Sequence, residues 1–162
     1  MLVLDKFPIH IAKTNRKSGF NDYWKINSQG IYNGAVSKFT RAIVMENIHN
    51  YIISSLTSQV RGFKLTTCVQ LQLDIFIPIN YGDIRRKKDG TISWKKADST
   101  YIPDNDEDNI SYIWNKAIKD CLTKLKVWED DNLSYCRGTS SLIHFIDNLE
   151  DRRIEINFKT IE

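Results

Sequence analysis

The spacing of apolar residues changes several times along the chain, and each change marks an element. Between Val36 and about Ser58, Phe39, Ile43, Ile48, Ile52 and Leu56 recur mostly every three to five residues, with Lys38, Arg41 and Asn50 on other faces. That spacing predicts a helix. In "TTCVQLQLDIFIPI" the period falls to two: Val69, Leu71, Leu73, Ile75 and Ile77 alternate with Gln70, Gln72, Asp74 and Phe76. This is the period of a half-buried strand, ended by Pro78. Helical spacing then returns through Ile110, Ile113, Trp114, Ala117, Ile118, Cys121, Leu122 and Leu125, with Tyr112, Lys116, Lys119, Asp120 and Lys124 on the other face. A second amphipathic helix is expected from about Asn109 to Lys126.

Shorter signals fill the remainder. "VLDKFPIHIAK" reads as a strand interrupted at Pro8, and "NRKSGFNDYWKINSQGIYNG" as loop and short hairpin turning at Ser28-Gln29-Gly30. Residues 80–102 place Asp89-Gly90 between two short runs, a hairpin signal. "SSLIHFI" and "RRIEINF" flank "DNLED", which predicts a closing antiparallel pair. The expected architecture is a single domain over 1–162 of the α/β class in its α+β form: a mixed sheet, two main helices and a basic hairpin arm inserted at 80–102.

Composition narrows the setting. A chain of 162 residues, 41% hydrophobic and 27% charged, is large enough for a core without disulfides or a structural metal. Cys68, Cys121 and Cys136 are odd in number and form no CxxC pair, which predicts reduced, mostly buried thiols in an intracellular protein. Asp5, Lys6 and Pro8 interrupt the first apolar residues, so neither a signal-peptide core nor a membrane span is expected, and the location expected is cytoplasmic. His10, His49 and His144 have no metal-ligand spacing and are assigned to packing or surface.

A net charge of +3 names no partner, but its distribution does more. Arg85, Arg86, Lys87, Lys88, Lys95 and Lys96 crowd one segment, interleaved with Tyr81 and Trp94. Such an arm suits contact with a phosphate backbone without reading sequence.

Directly after it stands "PDNDEDN", residues 103–109. One or two carboxylates before a helix satisfy its free N–H groups and its dipole. Asp104, Asp106, Glu107 and Asp108 exceed that need, and two unit charges about 4 Å apart repel by roughly 4 kcal/mol at an effective dielectric of 20. A cation would remove this cost. Asp104, Asp106 and Asp108 match the first, third and fifth places of a calcium loop, but Asn109 stands where its glycine belongs and Asn115 where its bidentate glutamate belongs. A calcium loop is therefore not expected. "VWEDDN" supplies further carboxylates, Asp130 and Asp131, past the far end of the same helix.

"DEDN" opening a helix, the Lys and Asp of "NKAIKDCL", then "VWEDDN" and a closing "RIEINF" together resemble the RusA-type Holliday junction resolvases. Their pattern is D-x-D-N, a helix with Lys and D-x-L, a hydrophobic-W-x-D-D turn and a final strand. Weaker likeness extends to "NDYWKI", "VSKFTRAIVMENI" and "LQLDIFIP". The resemblance implies a homodimer of mixed α/β subunits, of a kind found in phage and prophage. Such an enzyme cuts four-way or branched DNA with Mg²⁺ in recombination and repair, leaving symmetric nicks with 5′-phosphate and 3′-hydroxyl ends. It implies Asp106, Asp108 and Asp131 as catalytic metal ligands, with Asp130 adjacent in the metal set. The family's Lys position is Tyr112 here. An insertion of about one turn would align Lys116 and Asp120 with the family's Lys and helix Asp, making Lys116 the catalytic cation. The rival expectation is a non-catalytic DNA-junction-binding protein on the same fold.

Overall fold

The alternating stretch becomes strand β4, Val69–Pro78, and lies inside a four-stranded sheet. In this computed structural model, residues 1–8, 10–12, 23–25, 37–78, 81–86, 92–96 and 107–161 are described, of which 10–12, 23–25, 81–86, 92–96, 107 and 108 are described by their backbone. Val69, Leu71, Leu73, Ile75 and Ile77 of β4 are all buried, while Gln70, Gln72, Asp74 and Phe76 on the other face are half-buried. Burying each aliphatic side chain contributes about 1.5–3 kcal/mol, so the alternation fixes which face carries the core.

The other strands of that sheet are β1, Leu2–Asp5, β7, Cys136–Ile146, and β8, Arg153–Thr160, in the order β1-β8-β4-β7. β4 pairs in parallel with β7 and antiparallel with β8, and β8 pairs antiparallel with β1. The expected closing pair is thus overturned: β7 and β8 do not pair, because β4 lies between them. Parallel strands need a long crossover, and the chain between β4 and β7 includes a helix that supplies it. "DNLED" is correspondingly a bridge across β4: Asn148 caps a short 3₁₀ turn, Leu149–Asp151, accepting from Glu150 N at 3.1 Å, and Leu149 is buried.

The first helix among the described residues, α1, runs Lys38–Leu56 and begins where Ser37 Oγ accepts from Thr40 N at 3.1 Å. Its buried residues are Val44, Ile48, Ile52 and Leu56, one every fourth position. Phe39, expected on that face, is 84% exposed. It precedes Val44 by five residues, a rotation of about 140° from the buried row. The second helix, α2, runs Glu107–Lys124 and buries Ile110, Ile113, Trp114, Ala117, Ile118, Cys121 and Leu122, all as its spacing predicts. Trp114 meets the rings of Phe7 at 5.3 Å and Tyr51 at 6.4 Å, both edge-on, and so joins both helices to the segment after β1.

The opening stretch divides at Pro8 between two sheets, since His10–Ala12, β2, pairs antiparallel with Tyr23–Lys25, β3. Tyr81–Arg86, β5, pairs antiparallel with Ile92–Lys96, β6, as a separate two-stranded sheet. The expected turn residues Asp89 and Gly90 lie outside the described residues, as does Ser28-Gln29-Gly30. All three cysteines are free, Cys121 and Cys136 buried and Cys68 half-buried. No described helix is long and apolar enough to cross a membrane. Among the described residues, a mixed four-stranded sheet with two helices against one face makes a single small α+β domain.

Candidate functional site

Helix α2 is the frame on which the sequence-predicted carboxylates are arranged. Asp108 stands in its first turn, and Asp106 lies just before it, outside the described residues. Asp130 and Asp131 follow its last turn. An 18-residue helix spans roughly 27 Å, so within one chain Asp108 and Asp131 lie toward opposite ends of α2. The strand after the loop does not undo this, because Asn115 Nδ2 bonds Ser141 Oγ at 3.1 Å and β7 runs back along the helix from Cys136.

The far loop distinguishes its two aspartates. Asp130 Oδ1 accepts from the Asp131 backbone N–H and Oδ2 accepts from Asn132 Nδ2, each at 2.9 Å. Asn132 in turn accepts from Ser134 N at 2.9 Å through its side chain and from Tyr135 N and Cys136 N at 3.0 Å through its carbonyl. Asp130 therefore spends its carboxylate shaping the turn. Asp131 is exposed, and among the described residues its carboxylate has no partner. Of the adjacent pair, Asp131 is the one open to an outside ligand. Its hard oxygens suit Mg²⁺, which takes one or two carboxylates and retains several waters. Among the described residues no group of three His, Cys, Asp or Glu side chains is close enough to hold a metal.

Lys116 lies two turns into α2, about 12 Å along the axis from Asp108. Its Nζ is 3.5 Å from Asp120 Oδ1, an i,i+4 ion pair with the Lys side chain half-exposed. Asp120 also faces His49 of α1, whose Nε2 lies 3.6 Å from Asp120 Oδ2, while His49 Nδ1 lies 3.1 Å from Lys124 Nζ. A charged Lys124 can only donate, so Nδ1 accepts and the ring proton sits on Nε2, on the side of Asp120. Burial, and then the Lys124 charge, hold the His49 pKa below its ordinary value. His49, assigned to packing or surface, is thus half-buried where the two helices pack, but its approach to Asp120 is not visible in the sequence. It follows the buried Ile48 in α1, and only the packing of α1 on α2 brings it to Asp120.

Of the six cations of the arm, Arg85 and Arg86 belong to β5 and Lys95 and Lys96 to β6, with Asp83 opposite Lys95 and Arg85 opposite Ser93. Lys87 and Lys88 lie outside the described residues. His144, assigned to packing or surface, pairs its Nε2 with Asp74 Oδ1 at 2.7 Å and stacks on Phe76. Arg153 covers the Phe76 ring at 3.7 Å, so this row on the helix-free face of the sheet is already self-satisfied.

Comparison with protein-family models and with curated proteins returns no match for this chain.

Proposed function

We propose that the protein is a Mg²⁺-dependent, structure-selective endodeoxyribonuclease acting in the cytoplasm on four-way or branched DNA, a crossover junction endonuclease of the RusA type. The observation that carries the reading is the pair of acidic motifs framing α2: D-x-D-N at its opening and an exposed, unengaged Asp131 past its close. The α+β fold is of the class the resemblance implies.

In this reading Asp106 and Asp108 of one chain meet Asp131 of a second, because a single α2 separates them. β7 offers a route. It is an edge strand with no partner on its outer side among the described residues, and Leu142 and Phe145 on it are 58% and 53% exposed. Antiparallel pairing of β7 with its two-fold copy would bring the Asp131 end of one subunit toward the Asp108 end of the other. Bound Mg²⁺ would supply charge neutralisation at the scissile phosphate and a water acidic enough to attack near neutral pH. Lys116, held by Asp120, contributes positive charge beside the strand, and the β5–β6 arm with Arg85, Arg86, Lys87, Lys88, Lys95 and Lys96 grips the phosphate backbone.

Incubation with a synthetic four-way junction tests this. Nicking that requires Mg²⁺, stops with chelator and is lost in Asp108→Asn is the expected result. Tight junction binding with no nicking under any divalent metal would favour the rival, a non-catalytic junction-binding protein.

A further inference from the structure

Beyond the last turn of α2, the chain bends back so that Leu65 N donates to Val127 O at 2.7 Å, joining the approach to β4 to the exit from the helix. Between these two segments lies a cleft of about 590 Å³. That is within the roughly 300–1,000 Å³ of small-ligand sites. Trp128 lies in its wall, buried, with Nε1 donating to Thr123 Oγ1 at 2.7 Å. Tyr135 lies beside it and donates its hydroxyl to Glu129 Oε2 at 2.8 Å. That bond uses one carboxylate oxygen, and among the described residues nothing engages Oε1. Lys64 and Lys126, both exposed and without an acidic partner among the described residues, also line it.

Lys126 is held there at a backbone cost. The helix closes with Lys126 N donating to Thr123 O and Val127 N to Leu122 O, both at 3.0 Å, and Lys126 adopts φ 59°. This is the left-handed position after a helix, where glycine is the unstrained residue. A lysine there gives up backbone stability and gains a cation at the mouth of the cleft. Lys6 holds a similar backbone, φ 51°, away from the cleft, so it is the lining of the cleft and not the backbone that indicates what could bind there.

We infer that the Lys64–Lys126 cleft binds a nucleoside phosphate. The two ammonium groups meet the phosphate, Glu129 Oε1 accepts from a sugar hydroxyl, and the base lies against Tyr135 at the Trp128 wall. Both a free ribonucleotide and a nucleotide unit of single-stranded RNA, which keeps its 2′-hydroxyl, have this chemistry. The inference does not depend on the nuclease reading, since it uses no carboxylate of the proposed metal set and no cleavage.

Calorimetric titration of the full chain with AMP, inorganic phosphate and oligoriboadenylate, beside Lys126→Gly and Lys64→Ala, tests it. AMP is expected to bind with a Kd at or below about 1 mM and phosphate at least about tenfold more weakly. Each variant should weaken AMP binding about tenfold, the effect of removing one charge-assisted hydrogen bond. Lys126→Gly should do so with a melting temperature no lower than the parent's, which separates weakened binding from weakened folding. Tighter binding of oligoriboadenylate than AMP, with the same dependence on both lysines, identifies a strand nucleotide as the ligand; the reverse order identifies a free one. No heat with AMP up to about ten times that Kd, equal affinity for phosphate and AMP, or affinity unchanged in both variants would overturn the inference.

Discussion

His49 on α1 and Asp120 on α2 face each other across the helix interface, Nε2 to Oδ2 3.6 Å, with Lys124 on the opposite side of the imidazole and Lys116 on the far side of the carboxylate. Protonating His49 would put a hydrogen on Nδ1 directly toward the Lys124 ammonium. The folded-state pKa lies below the ordinary value of 6.5, so the fold prefers the neutral ring. Its contribution to stability is full above that unfolded value and declines as pH falls below it, with a slope of at most about 1.4 kcal/mol per pH unit. Urea midpoints measured from pH 8 to pH 5 should fall more steeply for the parent than for His49→Gln. Parallel curves would refute the assignment.

Gln59 acts as a substitute strand. Its Oε1 accepts from Val3 N at 2.8 Å and its Nε2 donates to Val3 O at 2.7 Å, closing part of the open edge of β1. Removing these bonds, and the one that Nε2 also donates to Ser55 O at 2.9 Å, in Gln59→Ala should cost about 1–3 kcal/mol, read as a lower urea midpoint with unchanged slope.

Trp114 is 1% exposed and bridges Phe7 and Tyr51. Trp114→Ala should lower stability by about 3–5 kcal/mol, more than most single changes in a domain of this size. A decrease under 1 kcal/mol in equilibrium unfolding would show that this cluster does not hold the helices to the sheet.

The helices and β4 are legible in the sequence because each buries one face, and the period of the apolar residues records which face. β4 and α2 follow their predicted positions closely for that reason. Strand pairing is less legible. "SSLIHFI" and "RRIEINF" look like neighbours because only six residues, 147–152, separate the strands they become. Yet Leu149 buries itself while the chain crosses β4, a tertiary choice without a local signature. The candidate site divides the same way. The acidic motifs at either end of α2 can be read from the chain. The approach of His49 to Asp120, and the use of Asp130 rather than Asp131 to build the turn, depend on tertiary and loop geometry that spacing does not encode.

The basic arm carries its own prediction. If Arg85, Arg86, Lys87 and Lys88 contact phosphates, replacing all four with Gln should weaken junction binding and lower the salt slope by up to about 3–4, near 0.9 for each phosphate no longer neutralised. The check is a set of binding isotherms across salt concentrations. An unchanged slope would remove the arm from the DNA interface.

The most direct test of the proposed site mixes two inactive proteins. Asp108→Asn and Asp131→Asn each spoil both sites of a homodimer in which the carboxylates are shared between chains. A mixed dimer, however, retains one intact site, built from Asp108 of the second variant and Asp131 of the first. Nicking of a four-way junction in the presence of Mg²⁺ should therefore be absent for each variant alone and reappear after the two are unfolded together and refolded. Continued inactivity of a verified mixed dimer would contradict the shared site, and full activity of either variant alone would contradict the nuclease reading itself.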